Sequence, residues 1–228
     1  MSHPLIYVTF ALPEESQDFR KAIREGLRTK VRVEHFGVGP AMAADRVKHL
    51  LAGPTPRLLI CAGFAGGLDP KLQTGDLVVA ENLSTPEALA RARAVAVPTT
   101  RFVFGSIVSR ALPVESIADK AALFRETGAL AVDMESEAVA AACRAAGVPL
   151  LVVRTISDPA GDALPVPFAD WFDVAGQRPR IAGLLKYLAT HPGRILPFAR
   201  FVRGLAPARR ALTRFLIGLD LTSDHPSG

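Results

Sequence analysis

The 228-residue chain is 49% hydrophobic and 21% charged, long enough to bury one substantial core and too short for several domains of ordinary size. Its two cysteines, Cys61 and Cys143, lie inside apolar runs without CxxC or Cys/His spacing, which argues against a disulfide framework or a zinc site and fits a reducing cytosol. The net charge of +5 is unevenly spread, with 18 Lys/Arg against 20 Asp/Glu in residues 1–177 and 9 against 2 in residues 178–228.

"LIYVTF" (5–10) predicts a strand and "PEESQDFRKAIREGL" (13–27) a helix, and "VRVEHF" (31–36) with "PAMAADRVKHLLA" (40–52) repeats the pair. The runs "RLLICA" (57–62), "DLVVA" (76–80) and "RFVFGSIV" (101–108) predict three strands, before a helix at "SIADKAALFRE" (116–126). "ALAVD" (129–133), "ESEAVAAACRAA" (135–146) and "PLLVVRTIS" (149–157) continue as strand, helix and strand. This alternation predicts an α/β fold: a single three-layer domain with a central twisted mixed, mostly parallel sheet covered on both faces. The domain is expected over residues 1–177, a basic amphipathic helical tail over 178–219, and a disordered end over 220–228. The first residues, "MSHPLIYVTFALPEES", have no basic region before their short apolar run, and no stretch approaches the ~18 uncharged residues of a membrane span, so a cytoplasmic location is expected.

In open α/β sheets, ligands gather beyond the carboxyl ends of strands, where helix N-termini converge. Four such junctions stand out: Glu14 and Glu15, the run Gly63-Phe64-Ala65-Gly66-Gly67, Met134 with Glu135, and Ser157 with Asp158. Each has an ordinary explanation when taken alone. The glycines let the backbone approach a ligand or simply permit a tight strand-to-turn passage with positive φ, and they match neither the Walker pattern nor GxGxxG. Glu14, Glu15 and Glu135 are first-turn acids favoured by a helix dipole, Met134 is a core filler, and Asp158 before Pro159 is a turn former. Convergence in space is what gives them meaning together. Asp133, pointing the other way if its strand continues, reads as structural. The five histidines show no metal-ligand spacing, and neither a metal nor an organic cofactor is expected.

In this order, "ALPEES", "FGVGPAMAA", "CAGFAGGLDPKLQTGDLVV", "AVDMESEAVA" and "VVRTISD" resemble the nucleoside phosphorylase and nucleosidase superfamily, a purine nucleoside phosphorylase-like fold, and within it the methylthioadenosine/S-adenosylhomocysteine nucleosidase branch. The resemblance implies that Glu135 holds the ribose hydroxyls, Met134 packs on the sugar, Asp158 meets the purine imidazole nitrogen and Glu15 positions the attacking water. It places Gly63, Phe64 and Ser157 in the substrate site and implies a homodimer or higher homo-oligomer. Phosphorylases of this superfamily hold phosphate with arginine and serine or threonine near the glycine-rich junction. Here Cys61 and Phe64 stand at the corresponding places, so hydrolysis is expected, with phosphorolysis as an alternative. Phe64 also departs from the nucleosidases, which carry serine there, and it reads equally as a core aromatic. A membrane-associated nucleoside-binding protein without turnover is the alternative of a different class.

The segment "ENLSTPEALARARAVAVPTTRF" is shorter than the nucleosidase stretch that helps enclose the substrate. From residue 178 onward, nine Lys/Arg accompany apolar residues at helical spacing, with no acid before Asp220. Residues 178–216 fit an anionic membrane surface, making the protein peripheral on the inner face; packing on the domain or a second subunit is the alternative. Nucleic acid is not expected, because stacking aromatics are sparse. This tail, with "DPAGDALP" and "HPGRILPFARFVR", resembles hopanoid-associated phosphorylases, which implies adenosylhopane as substrate, with methylthioadenosine/S-adenosylhomocysteine cleavage as the runner-up.

Overall fold

A computed structural model describes residues 6–25, 31–96 and 100–219. The expected disordered end, 220–228, lies outside the described residues. In chain order the elements are β1 (Ile6–Phe10), α1 (Pro13–Glu25), β2 (Val31–His35), α2 (Pro40–Leu51), β3 (Leu58–Gly67), β4 (Leu77–Ala80), α3 (Pro86–Arg93), β5 (Phe102–Gly105), β6 (Ile107–Ser109), α4 (Ile117–Thr127), β7 (Ala131–Asp133), α5 (Ser136–Ala146) and β8 (Leu150–Asp158). They continue with α6 (Phe168–Trp171), the short pair β9 (Phe172–Asp173) and β10 (Arg178–Pro179), α7 (Ile181–Thr190), a single 3₁₀ turn (Pro192–Arg194) and α8 (Ile195–Gly218).

Eight strands form one sheet in the order β2-β1-β3-β8-β4-β5, with β7 also paired to β3 and β6 to β7. Pairings β1/β2, β1/β3, β3/β8, β4/β5 and β6/β7 are parallel, and β3/β7 and β4/β8 antiparallel. The sheet is mixed and mostly parallel. Strand residues alternate between two cores, as the period of two requires. On one face Tyr7, Leu59, Cys61, Val78 and Val152 pack with Ala43 and Val47 of α2 and Val139, Ala140 and Cys143 of α5. On the other, Ile6, Val8, Ile60, Val79 and Leu151 pack with Phe19 of α1, Ala88 and Ala92 of α3, and Leu212, Phe215 and Leu216 of α8. The three-layer α/β domain is therefore present, and its C-terminal helices include one that completes a layer.

Three local features differ from the sequence reading. The run "RFVFGSIV" is two strands, split at Ser106, because β5 adds to β4 while β6 turns to pair with β7. The segment read as a short cover contains α3, held on the sheet by Ala88 and Ala92. The glycine run is not a turn: β3 extends unbroken through Gly67, and none of Gly63, Gly66 and Gly67 has a positive φ.

The apolar residues of the tail from Ile195 to Leu216 fall on one helix, α8, whose two halves differ. Up to Pro207 it is largely exposed, with Ile195 and Leu196 bare; beyond it Ala208, Ala211, Leu212, Phe215 and Leu216 are buried. Arg209 Nε, 3.0 Å from Asp18 Oδ2, ties this inner half to α1.

Candidate active site

The junctions singled out in the sequence meet where β1, β3, β7 and β8 end. Glu15 lies in the first turn of α1, directly after β1, and is almost fully buried. Its Oε2 accepts from the Leu12 amide at 2.9 Å and its Oε1 from the Phe64 amide at 2.8 Å. The contribution of Phe64 here is thus made by its backbone, so an apolar side chain at this position leaves the contact intact. Burial pushes the Glu15 pKa above the usual carboxylate range, against the pull of Arg154 and of the backbone N–H groups it accepts from.

Glu135 is the N-cap of α5, after β7, and is likewise almost fully buried. Its Oε1 accepts from the Gly39 amide at 2.8 Å. Gly39 caps α2 with a φ of 99°, a conformation that strains a side chain, and this aims its N–H across at α5. Burial and the neighbouring Asp133 push the Glu135 pKa to about 7, against Arg154, the Gly39 N–H and with a further upward push from Glu15. Met134, half-buried, lies between Asp133 and Glu135.

Sequence reasoning missed the cation that stands among these carboxylates, Arg154 on β8. It is fully buried, with Nη2 2.7 Å from Asp133 Oδ2 and 3.0 Å from Ser136 Oγ, to which it donates. Nη2 also faces Cys61 Sγ at 3.4 Å, and burial pushes the Cys61 thiol up to about 12, so Cys61 is a neutral packing group. Burial opposes the Arg154 charge, but Asp133, Cys61, Glu135 and Glu15 around it raise its pKa further above the usual range. Asp133 is structural, as expected, and more: it also accepts from Ser136 N at 3.2 Å and Ser109 Oγ at 2.5 Å, holding the start of α5 against β6.

Gly63 explains the glycine run. A Cβ there would lie 2.3 Å from Arg154 Nη1 and 2.8 Å from Glu15 Oε1, so this stretch of β3 is where a buried cation and a buried carboxylate press on backbone. The signal was present in the sequence as glycines inside an apolar strand, which mark close approach by another group.

Asp158 ends β8 beside Gly66. The register between β3 and β8 shifts between Ala65 and Gly66, so that Gly66 pairs with Asp158 after Ala65 has paired with Ile156. Such an extra residue re-aims the side chains that follow it. Asp158 Oδ1 lies 2.5 Å from Ser157 Oγ, which also approaches the Ala65 carbonyl at 3.2 Å, and Asp158 Oδ2 accepts from Lys120 Nζ at 2.6 Å. Burial raises the Asp158 pKa, outweighing Lys120 and Ser157. Among the described residues, no group of three His, Cys, Asp or Glu side chains is arranged to hold a metal ion.

Chemically, the site offers a nearly buried carboxyl inclined to carry a proton on one side, Asp158, and three carboxyl groups, Glu15, Asp133 and Glu135, around a buried guanidinium on the other. Comparison with known proteins follows the same lines. A nucleosidase of Marinomonas sp., named 5′-methylthioadenosine/S-adenosylhomocysteine nucleosidase, is 30% identical over 174 residues, covering 62% of this chain and 73% of its own. A futalosine hydrolase of Streptomyces coelicolor is 33% identical over 154 residues, covering 55% and 66%. Among solved structures, the futalosine hydrolase of Helicobacter pylori superposes with a TM-score of 0.70 at 19% identity, covering 95% of this chain and 97% of that one. The 5′-methylthioadenosine/S-adenosylhomocysteine nucleosidase of the same organism gives 0.71 at 18%, covering 96% and 98%. A family model described as the phosphorylase superfamily matches residues 10–85 and 82–188, most of the sequence, and the chain belongs to that superfamily.

Proposed function

We propose that the chain is an N-glycosidase that releases adenine from a 5′-substituted adenosine by attack of water on the ribosyl C1′. The observation that carries this reading is the buried set Glu15, Glu135, Asp133 and Arg154, with Asp158 beside Gly66 further along the same carboxyl-terminal stretch of β3 and β8. As the C1′–N bond breaks, positive charge grows on the ribosyl group. An ionised Glu135 stabilises that charge and accepts hydrogen bonds from the ribose hydroxyls, with Met134 against the sugar. Asp158 gives its proton to the imidazole nitrogen of the leaving purine, so that adenine departs neutral. Glu15 takes a proton from water as the water oxygen bonds to C1′, and its raised pKa makes it a stronger base than an ordinary carboxylate.

Water is favoured over phosphate because the guanidinium of this site is already committed. Arg154 pairs with Asp133 and bonds Ser136, and a carboxylate, Glu15, lies on its other side, so an added dianion meets no free cation there. Phosphorolysis is the alternative reading, and a requirement for inorganic phosphate in adenine release would select it.

The 5′ group is proposed to be a lipid, as in adenosylhopane, rather than the methylthio or homocysteinyl group that the relatives' names carry. What supports this is the surface formed by α7 and the outer half of α8. Ile181, Leu185, Ile195, Leu196 and Val202 are exposed there, interspersed with exposed Lys186, Arg194, Arg200 and Arg203. Apolar side chains among cations, with no acid nearby in sequence, suit an anionic bilayer surface. Among the described residues no helix is long and apolar enough to cross a membrane, so the proposed contact is peripheral. Removing the whole tail is a poor test, because Leu212, Phe215 and Leu216 belong to the core. The double substitution Leu185→Asp/Leu196→Asp, at exposed positions, is the appropriate probe: flotation with anionic liposomes should be lost. Undiminished flotation would refute the membrane reading. Release of adenine from methylthioadenosine, S-adenosylhomocysteine and liposome-borne adenosylhopane, compared at equal concentrations, tests the 5′ group; preference for either of the first two substrates would overturn the lipid assignment.

A further inference from the structure

Lys120 has no local reason to be where it is. It falls in the first turn of α4, where the helix dipole disfavours a cation, and that turn is already capped by Ser116, whose side chain accepts from the Asp119 amide at 3.0 Å. The residue is fully buried, a rare state for lysine unless it is paired.

Its reasons are long-range. Nζ donates to Asp158 Oδ2 at 2.6 Å, and the carbonyl oxygens of Asp158, Pro159 and Asp162 lie 3.2, 3.0 and 2.8 Å from it. Three N–H bonds thus face four acceptors, one of them the proposed acid and the others the backbone that follows it. With Ser157 Oγ on Oδ1, both oxygens of the Asp158 carboxyl are fixed before any substrate arrives. The ammonium also stands where charge changes during the reaction. When Asp158 passes its proton to the purine nitrogen it becomes a buried carboxylate, and a cation already in hydrogen-bond contact stabilises that product of the transfer without any reorganisation.

We propose that Lys120 is the positioning residue of the general acid: it orients the Asp158 carboxyl, anchors the turn from Asp158 to Asp162, and balances the negative charge left on Asp158 after proton donation. The proposal rests on the reading of Asp158 as the acid. Because the stabilisation grows during proton transfer, it acts on turnover more than on substrate binding.

The test is a double-mutant cycle with Lys120→Met and Asp158→Asn, measured as steady-state adenine release from a purine nucleoside that the wild type cleaves. Lys120→Met should lower kcat on the order of 10²-fold with little change in KM, the loss expected of a misplaced catalytic group. Lys120→Arg, which keeps the charge, should recover part of the loss. The double variant should be no more than about two- to threefold slower than Asp158→Asn alone, because both substitutions disable one step. A parallel measurement with 4-nitrophenyl riboside, whose leaving group departs without a proton, should show Lys120→Met retaining most of its rate.

Independent, multiplicative losses in the cycle, or an equal loss on both substrates, would overturn the assignment and leave Lys120 a fold-stabilising residue. If Lys120→Met does not fold, Lys120→Arg decides, since its displaced charge should lower purine cleavage selectively and an unaltered kcat would refute the role. A wild type inactive on every purine nucleoside would sink the proposed function itself, whereas an active wild type with an additive cycle sinks the Lys120 role alone.

Discussion

Replacing Glu135 with Gln should stabilise the protein at high pH and leave its stability at low pH nearly unchanged. Glutamine matches the shape of a protonated glutamate and keeps an oxygen that can accept the Gly39 N–H. In the unfolded chain Glu135 titrates near its ordinary 4.5, while in the folded site burial and Asp133 hold it at about 7. Between those values the folded protein keeps a proton that the unfolded chain has lost. The group's contribution is therefore fully present below 4.5 and lost as pH rises through 7. At ~1.4 kcal/mol per pH unit, that interval corresponds to about 3 kcal/mol lost by the wild type and not by the variant. Urea unfolding of both proteins at about pH 4 and about pH 8.5 measures it, and taking the difference between them cancels other groups that titrate alike, Glu15 and Asp158 included. The gap between Glu135→Gln and wild type should widen by about 3 kcal/mol toward high pH. A gap that is constant with pH would refute the argument that Glu135 is held as a reluctant carboxylate. The same variant should lose most of its turnover, because a neutral amide cannot stabilise a cationic ribosyl group.

Gly63→Ala puts a Cβ 2.3 Å from Arg154 Nη1, so either the guanidinium or the strand must shift. A destabilisation of about 1–3 kcal/mol by thermal unfolding, with a loss of kcat on the order of 10²-fold, is the expected outcome. Unchanged kcat would mean that Arg154 and Glu15 need not hold these positions. Arg154→Met leaves Asp133 buried without its cation and should cost about 3–5 kcal/mol in urea unfolding. A cost below ~1 kcal/mol would show that Asp133 is satisfied by Ser109 and Ser136 alone.

Much of this architecture was legible in the sequence because parallel strands covered on both faces leave near-continuous apolar runs, as in "LLVV" at 150–153, just before Arg154. The carboxylates at the strand ends were visible for the same reason: the end of each apolar run marks where a side chain can face a ligand. Arg154 was not singled out although it falls inside the strand predicted at 149–157, because the partner that makes its burial tolerable, Asp133, lies on another strand. Lys120 was hidden in the same way, its partner being 38 residues away. The glycine run left close approach and a turn both open because the pattern records the absence of a Cβ and not the reason for it. At Gly63 that reason is the pressure of two side chains from other elements. In the tail, helical periodicity is the same whether an apolar stripe meets a core or a membrane, so the change along α8 at Pro207 had no signature beyond the proline itself.

On the proposed mechanism this site breaks the bond between a purine and a ribosyl carbon with water as the nucleophile. Incubating the protein with a 5′-substituted adenosine in water carrying a heavy oxygen isotope, with and without inorganic phosphate, tests it most directly. Adenine should be released at the same rate in both mixtures, and the free sugar should carry one heavy oxygen at C1′. Adenine release that requires phosphate, with the sugar recovered as its 1-phosphate, would contradict the account.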